Sequence, residues 1–441
     1  MPEFNRRKFL IASAGVGAVG VVGGVGELTL PDLLRHSQKQ PPLAAGSGIL
    51  VIITLYGGND GISTVIPYAD NAYHDARPEL TYAPSEVLRL DGQRGLNPAL
   101  QGLNGLWADN QLAIVRGVGY PKQDRSHFRS MDIWQTALPD APVKTGWIGR
   151  WPDATGDDPL RAVNIGAVLA PLGIGEKHVA AALSDWVPPV PDDIAKTPDA
   201  LSDDDPHDTR AMAAVREAYR ANSNTTPVFG KAVKGAAPGA QTTGSGNAQT
   251  LPDDLELVAT CVKAGVPSHV YMVSPGDFDT HADERAAHRS LLEALDDALT
   301  PFLHEMRSSS FGKNVVVMVY SEFGRRVAAN ASAGTDHGTS GPVFIAGAHV
   351  KGGFYGDEPR LTDLDDGDLK TTTDFRDIYH ELLGKSLRTD PEPVVGTGRR
   401  ELGFCDEIRF GSPDGIRTHA TAVRGRRPRP LDDGARTGVP A

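Results

Sequence analysis

The chain has 441 residues, 40% of them hydrophobic and 6% aromatic, enough apolar material for a buried core and too much for wholesale disorder. A formal net charge of −12 excludes nucleic acid as the partner, because neutralising phosphates needs a basic face. Two cysteines without CxxC spacing, Cys261 and Cys405, exclude a thiolate zinc site; they could form one disulfide in an oxidising compartment, but the scaffold does not depend on it.

At the N-terminus, Arg6-Arg7 and Lys8 precede Phe9-Leu10 and a weakly apolar run rich in Gly, Ala and Val that reaches about Gly26. Paired arginines, a short apolar stretch and small residues predict a twin-arginine signal over residues 1–30. The destination is then the periplasm, cell envelope or extracellular space. So many glycines, at about 1 kcal/mol each, argue against a buried helix, and the run is too short for a confident membrane span. Left uncleaved, it would act as an N-terminal membrane anchor. Ala44-Ala45-Gly46 offers small residues for cleavage but lies well beyond the apolar run.

From Gly48 to Tyr56 an almost continuous β-branched run ends at Gly57-Gly58-Asn59-Asp60-Gly61, which reads as a central strand covered on both faces and opening into a tight turn. A helix over 98–108 leads to a second strand at 112–118. Another helix, 255–264, leads to a strand at 268–273, and a third, 286–306, to a strand at 314–320. Helices alternating with buried strands predict an α/β fold: a three-layer α/β/α sandwich with a mainly parallel sheet. The body is a single domain over 48–410. Residues 188–250, with Pro-Pro-Val-Pro and an acidic run followed by Gly/Ser/Thr, read as an inserted loop region, and 411–441 as a disordered basic tail.

Polar clusters follow these strands, where open α/β sheets place their ligands. Asn59-Asp60 offers a metal carboxylate or a plain turn residue. Ser126, in Asp124-Arg-Ser-His-Phe-Arg129 at a helix start, offers a nucleophile or an N-cap. Asp279 and His281, two apart in an extended stretch, point the same way and can share one cation, with His288 seven further on. Glu322 follows the fourth strand; Arg325 can grip an anionic ester through its forked donors, or pair with surface acids. Asp336-His337, flanked by glycines, is a second carboxylate–imidazole pair. Two such pairs after strands point to a divalent metal, with Zn or Mn favoured by mixed imidazole and carboxylate ligands, and Ca or Mg allowed.

Leu55-Tyr-Gly-Gly-Asn-Asp-Gly61, Asp124-Arg-Ser-His-Phe128, Phe278-Asp-Thr-His281, Ser321-Glu-Phe-Gly-Arg-Arg326, Gly334-Thr-Asp-His-Gly338 and Lys351-Gly-Gly-Phe-Tyr-Gly356 occur in that order behind the paired arginines. Together they resemble the bacterial family called domain of unknown function 1501, over about residues 48–405. The resemblance implies an alkaline phosphatase-like fold holding one or two divalent metals and hydrolysing phosphate or sulfate esters. It implies Ser126 as nucleophile, Arg325 on the anionic ester substrate, and Asp60, Asp279, His281, Glu322, Asp336 and His337 as metal ligands. An exported protein partner is a further expectation. The alternative is a non-catalytic exported binding or assembly protein on the same fold.

Overall fold

The strands in chain order are β1 (Glu27–Leu28), β2 (Ile49–Thr54), β3 (Val65–Ile66), β4 (Leu88–Arg89), β5 (Gly95–Leu96), β6 (Leu112–Gly119), β7 (Ala162–Ile165), β8 (Ala181–Leu183), β9 (Val270–Val273), β10 (Val315–Tyr320), β11 (Gly341–Gly347), β12 (Gly353–Tyr355), β13 (Leu364–Asp365), β14 (Asp368–Leu369) and β15 (Thr373–Asp374). The computed structural model describes residues 27–28, 43–44, 46–140, 143–156, 159–166, 169–183 and 251–406. The twin-arginine signal apart from Glu27–Leu28, the 188–250 insertion and the 411–441 tail lie outside the described residues. No described helix is long and apolar enough to cross a membrane.

Among the described residues, ten strands form one sheet in the order β1-β8-β7-β9-β2-β10-β11-β6-β12, with β15 also on β6. β11 pairs antiparallel with both β10 and β6, while every other pairing is parallel, so β11 alone runs against the rest. The expected mainly parallel sheet is therefore present. Side-chain alternation divides the strands between two layers. Ile49, Val51 and Ile53 of β2 face one core, with the helices Gln101–Ala108, Leu251–Lys263 and Glu284–Ser308. Leu50 and Ile52 face the other, with His127–Thr136, Trp147–Thr155 and Phe375–Glu381. Both faces of the central strand are dry, which is why its sequence is continuously apolar and not alternating. The 25-residue helix shows the complementary pattern. Leu292, Leu295, Leu299, Phe302, Leu303 and Met306 recur at three- and four-residue spacing on its buried face, each burial stabilising by about 2 kcal/mol.

Cys261 and Cys405 are free and buried in opposite layers, so the disulfide allowed by their number is not formed. A small sheet, β3-β5-β4, packs beside the main one.

Candidate metal centre

The loops that follow β2, β9, β10 and β6 all leave one edge of the sheet. β11 runs backwards, so its start, just after Asp336-His337, lies at that edge too. Backbone contacts pull these loops together. Tyr56 donates to the Pro275 carbonyl at 2.9 Å, and Phe278 donates to that of Tyr56 at 3.1 Å. Gly57 makes this approach possible. It has φ +118°, and a Cβ there would lie 2.5 Å from the Asp279 nitrogen. Within the 321–340 loop, Arg326 donates to Asp336 at 3.0 Å and Gly338 to Gly324 at 2.9 Å, setting Arg325 opposite His337.

Asp279, His281 and His337 meet there. His281 Nε2 lies 3.0 Å from His337 Nε2 and 3.0 Å from Asp279 Oδ1, and His337 Nε2 lies 3.2 Å from the same oxygen. The Nδ1 of His337 faces the Arg125 carbonyl at 2.9 Å. A carbonyl can only accept, so Nδ1 carries the proton and neutral His337 presents a bare Nε2 lone pair to the other two atoms. His281 Nδ1 faces Asp336 Oδ1 at 3.4 Å, so a proton on Nδ1 would leave its Nε2 as a ligand atom as well. With His281 in that tautomer, two imidazole lone pairs and a carboxylate oxygen converge on one space. A tetrahedral cation with bonds of about 2.0–2.1 Å would have ligand–ligand edges of about 3.3 Å, close to these three spacings. The donor set fits a divalent cation.

A fourth group joins them from the β6 side. His127, Asp279 and His337 each offer a ligand atom, all within 4.8 Å of one another, and His127 Nε2 is 3.5 Å from Asp279 Oδ2. His127 Nδ1 lies 2.8 Å from Glu322 Oε1. That bond, ahead of opposing burial, raises the His127 pKa, with Asp279 adding to the rise. Burial alone would push the Asp279 carboxyl up. Arg325, with help from His281 and His127, outweighs it and holds that carboxyl below its usual range. For His337 burial dominates and the pKa falls, which favours the neutral, ligating form.

Glu322, expected as a ligand, works one step back. Its Oε1 accepts from Gly57 N at 2.9 Å as well as facing His127, and Oε2 accepts from Ser321 Oγ at 2.8 Å. It fixes an imidazole, as metal-site carboxylates commonly do. Asp336 does the same for His281 and is itself held by Asn330 Nδ2 at 3.1 Å. Arg325, expected to face the ester, points inward and is 1% exposed. It donates to the carbonyls of Gly57, Gly58, Phe278 and Thr335, and at 2.6 Å to Asp279 Oδ1. Its donors staple three loops and orient Asp279.

Asp60 lies outside the centre. Fully buried, it caps the turn at Ile62 and pairs with Arg77 at 2.6 Å. Its pKa is low because Arg77, with Glu284, His288 and Ser63, overcomes the cost of burial. His288 bonds Asn59 Oδ1 at 2.8 Å and not the cluster. Ser126 is exposed at the start of the helix His127–Thr136, its N–H bonded to Asp124 and its hydroxyl free of any capping bond. His127, and not its motif neighbour Ser126, is the residue that turns toward the cluster. Arg77 and Glu284 carry no local sequence signal, because their roles depend on contacts across 17 and more residues.

Residues 203–400 match the family described as protein of unknown function (DUF1501). The match places this stretch in that family. The resemblance carried by the motifs is borne out there. No curated protein matches the sequence. The structure is similar to a protein in the alkaline phosphatase superfamily from Vibrio parahaemolyticus, at 12% identity and TM-score 0.41, over 85% of this chain and 77% of that one. It is also similar to the lipoteichoic acid synthase LtaP from Listeria monocytogenes, at 11% identity and TM-score 0.34, over 88% and 79% of the two chains. A third similar structure is murine ectonucleotide pyrophosphatase / phosphodiesterase 5 in complex with AMP, at 9% identity and TM-score 0.36, covering 80% and 96%.

Proposed function

We propose that the chain is a metal-dependent hydrolase of phosphate or sulfate esters, exported by the twin-arginine route. The convergence of ligand-type atoms from His281, His337 and Asp279 carries the reading, with His127 beside them. Three imidazoles and one carboxylate suit Zn or Mn better than Ca or Mg. When bound, such a cation supplies Lewis-acid polarisation of an ester oxygen. His127, held by Glu322, and His281, held by Asp336, keep fixed ring orientations, so little reorganisation is needed at the site. Ser126 stands exposed one residue before His127, where its hydroxyl or a water can approach an ester bound at the cluster. Arg325 contributes by setting the Asp279 carboxylate, not by touching substrate. Export after folding, which paired arginines specify, suits a protein that takes up its ion in the cytoplasm.

The test is metal analysis of the purified full chain, followed by a panel of phosphate and sulfate mono- and diesters with added Zn, Mn, Mg or Ca. The expected result is bound metal and turnover that both disappear in His281→Ala and His337→Ala. No bound metal and no activity with any of the four ions would sink the proposal. Metal without turnover would instead favour a binding protein on this scaffold.

A further inference from the structure

A cavity of about 250 Å³ lies between the small β3-β5-β4 sheet and the β6/β11 edge of the main sheet, and none of the four candidate ligands lines it. Its walls are largely apolar, formed by Ile62, Val65, Pro342, Leu361 and Leu369. Concave, mainly apolar clefts with a few polar groups are where small ligands bind.

Charged side chains line it as well: Asp70, Arg94, Arg116, Arg325 and Glu358. Arg94 and Arg116 both line the cavity and both reach the Glu358 carboxylate, Arg116 at 2.8 Å, while Arg94 also pairs with Asp91 at 3.1 Å and Arg116 donates to the Gly356 carbonyl at 2.6 Å. Both cations also lie over the Phe354 ring, at 4.6 and 5.1 Å from its centroid. Glu358 is an exposed rim residue with 45% of its side chain open to solvent, so this ion pair is of the weak, replaceable kind. Arg94 Nε, in contrast, is buried and has no partner.

We propose that this cavity binds a small amphipathic carboxylate, its apolar body between Val65 and Leu361 and its head between Arg94 and Arg116. Glu358 occupies the head position in the free protein and competes with the ligand for the two guanidinium groups. Three features select this class: the two-arginine clamp selects a planar anion, the apolar walls select a hydrocarbon body, and the volume restricts the body to a short chain or single ring.

The experiment is calorimetric titration of the metal-loaded full chain with octanoate and, separately, octanol. Octanoate should bind saturably, with octanol at least about tenfold weaker. Glu358→Gln frees the clamp and should tighten octanoate several-fold, whereas Arg94→Gln should weaken it about tenfold. Val65→Phe fills the cavity and should weaken both probes; if that variant does not fold by circular dichroism, Leu361→Phe takes its place. Equal affinity for octanoate and octanol, no binding of octanoate at millimolar concentration, or unchanged binding in the folded cavity-filling variant would overturn the proposal. So would weaker octanoate binding in Glu358→Gln.

Discussion

His281 Nε2 and His337 Nε2 face each other at 3.0 Å across a space that Asp279 Oδ1 also borders. Two neutral imidazoles oriented this way repel unless a proton or a cation lies between them, and the outward bond from His337 Nδ1 to the Arg125 carbonyl fixes where its own proton is. Alanine at either histidine removes a ligand but leaves the surrounding loops tied by Arg325. The expected outcome is loss of at least about 100-fold in metal affinity with a change in melting temperature of only a few degrees in the metal-free proteins. Competition against a chromogenic chelator reads the first quantity, and a thermal scan in EDTA reads the second.

Glu322 should matter nearly as much without touching an ion. It is fully buried and orients His127 through a 2.8 Å contact. Glu322→Gln keeps the size but weakens the hold on the imidazole, so metal affinity should drop about 10- to 100-fold. If chelator competition gives the wild-type value, His127 is not part of the ion's environment.

The strands, their order of succession and the edge at which the chemistry collects were legible, because continuous β-branched runs such as 49–54 and 315–320 have few other fates. Asp279, His281 and His337 were legible as well, since carboxylate beside imidazole after a buried strand has a distinct chemistry. What the sequence concealed was which polar residues face each other. Glu322 and Asp336 differ from Asp279 only in pointing at an imidazole edge and not at the shared space. The position of Arg325 depends on carbonyls contributed by loops 47 and 267 residues away. His127 was hidden for a related reason: its neighbour Ser126 offered a familiar role, and only the fold shows which of the two side chains turns inward.

Arg77 and Asp60 provide the contrast to the metal centre. Both are fully buried and joined at 2.6 Å, so removing one partner strands a charge. Arg77→Met should destabilise the protein by about 3–5 kcal/mol, and Asp60→Asn in the same chain should recover part of that loss. Metal affinity should be unchanged in the folded double variant. A large fall there would return Asp60 to the ligand set. Urea unfolding and chelator competition on the same preparations give both answers.

Arg325 makes a different kind of loss measurable. Its guanidinium satisfies four backbone carbonyls and holds Asp279, and lysine cannot reproduce that fork. Arg325→Lys should cost about 2–4 kcal/mol of stability, since several buried acceptors lose their donor. Metal affinity should fall with it because Asp279 is released. If the variant kept full stability and lost only catalytic turnover, Arg325 would belong to substrate binding after all. Urea midpoints and turnover measured side by side separate the two outcomes.

Glu284 supplies a pH dependence that can be isolated. Burial and the adjacent Asp60 carboxylate raise its pKa well above the ordinary glutamate value of 4.5. The folded chain therefore retains a proton that the unfolded chain releases, and stability falls as pH rises through that interval. The contribution is complete below the unfolded-state value and disappears as pH reaches the raised one. Glu284→Gln keeps an amide donor for Asp60 and an acceptor for the Thr335 hydroxyl, but has nothing to ionise. Between about pH 5 and about pH 8 the wild type should lose stability relative to this variant by up to about 1.4 kcal/mol per pH unit. Raised His127 has the same sign but is present in both proteins and cancels in the difference, and Asp60, held low by Arg77, titrates below this window. Parallel urea-denaturation curves for the two proteins would reject the protonated state of Glu284 directly.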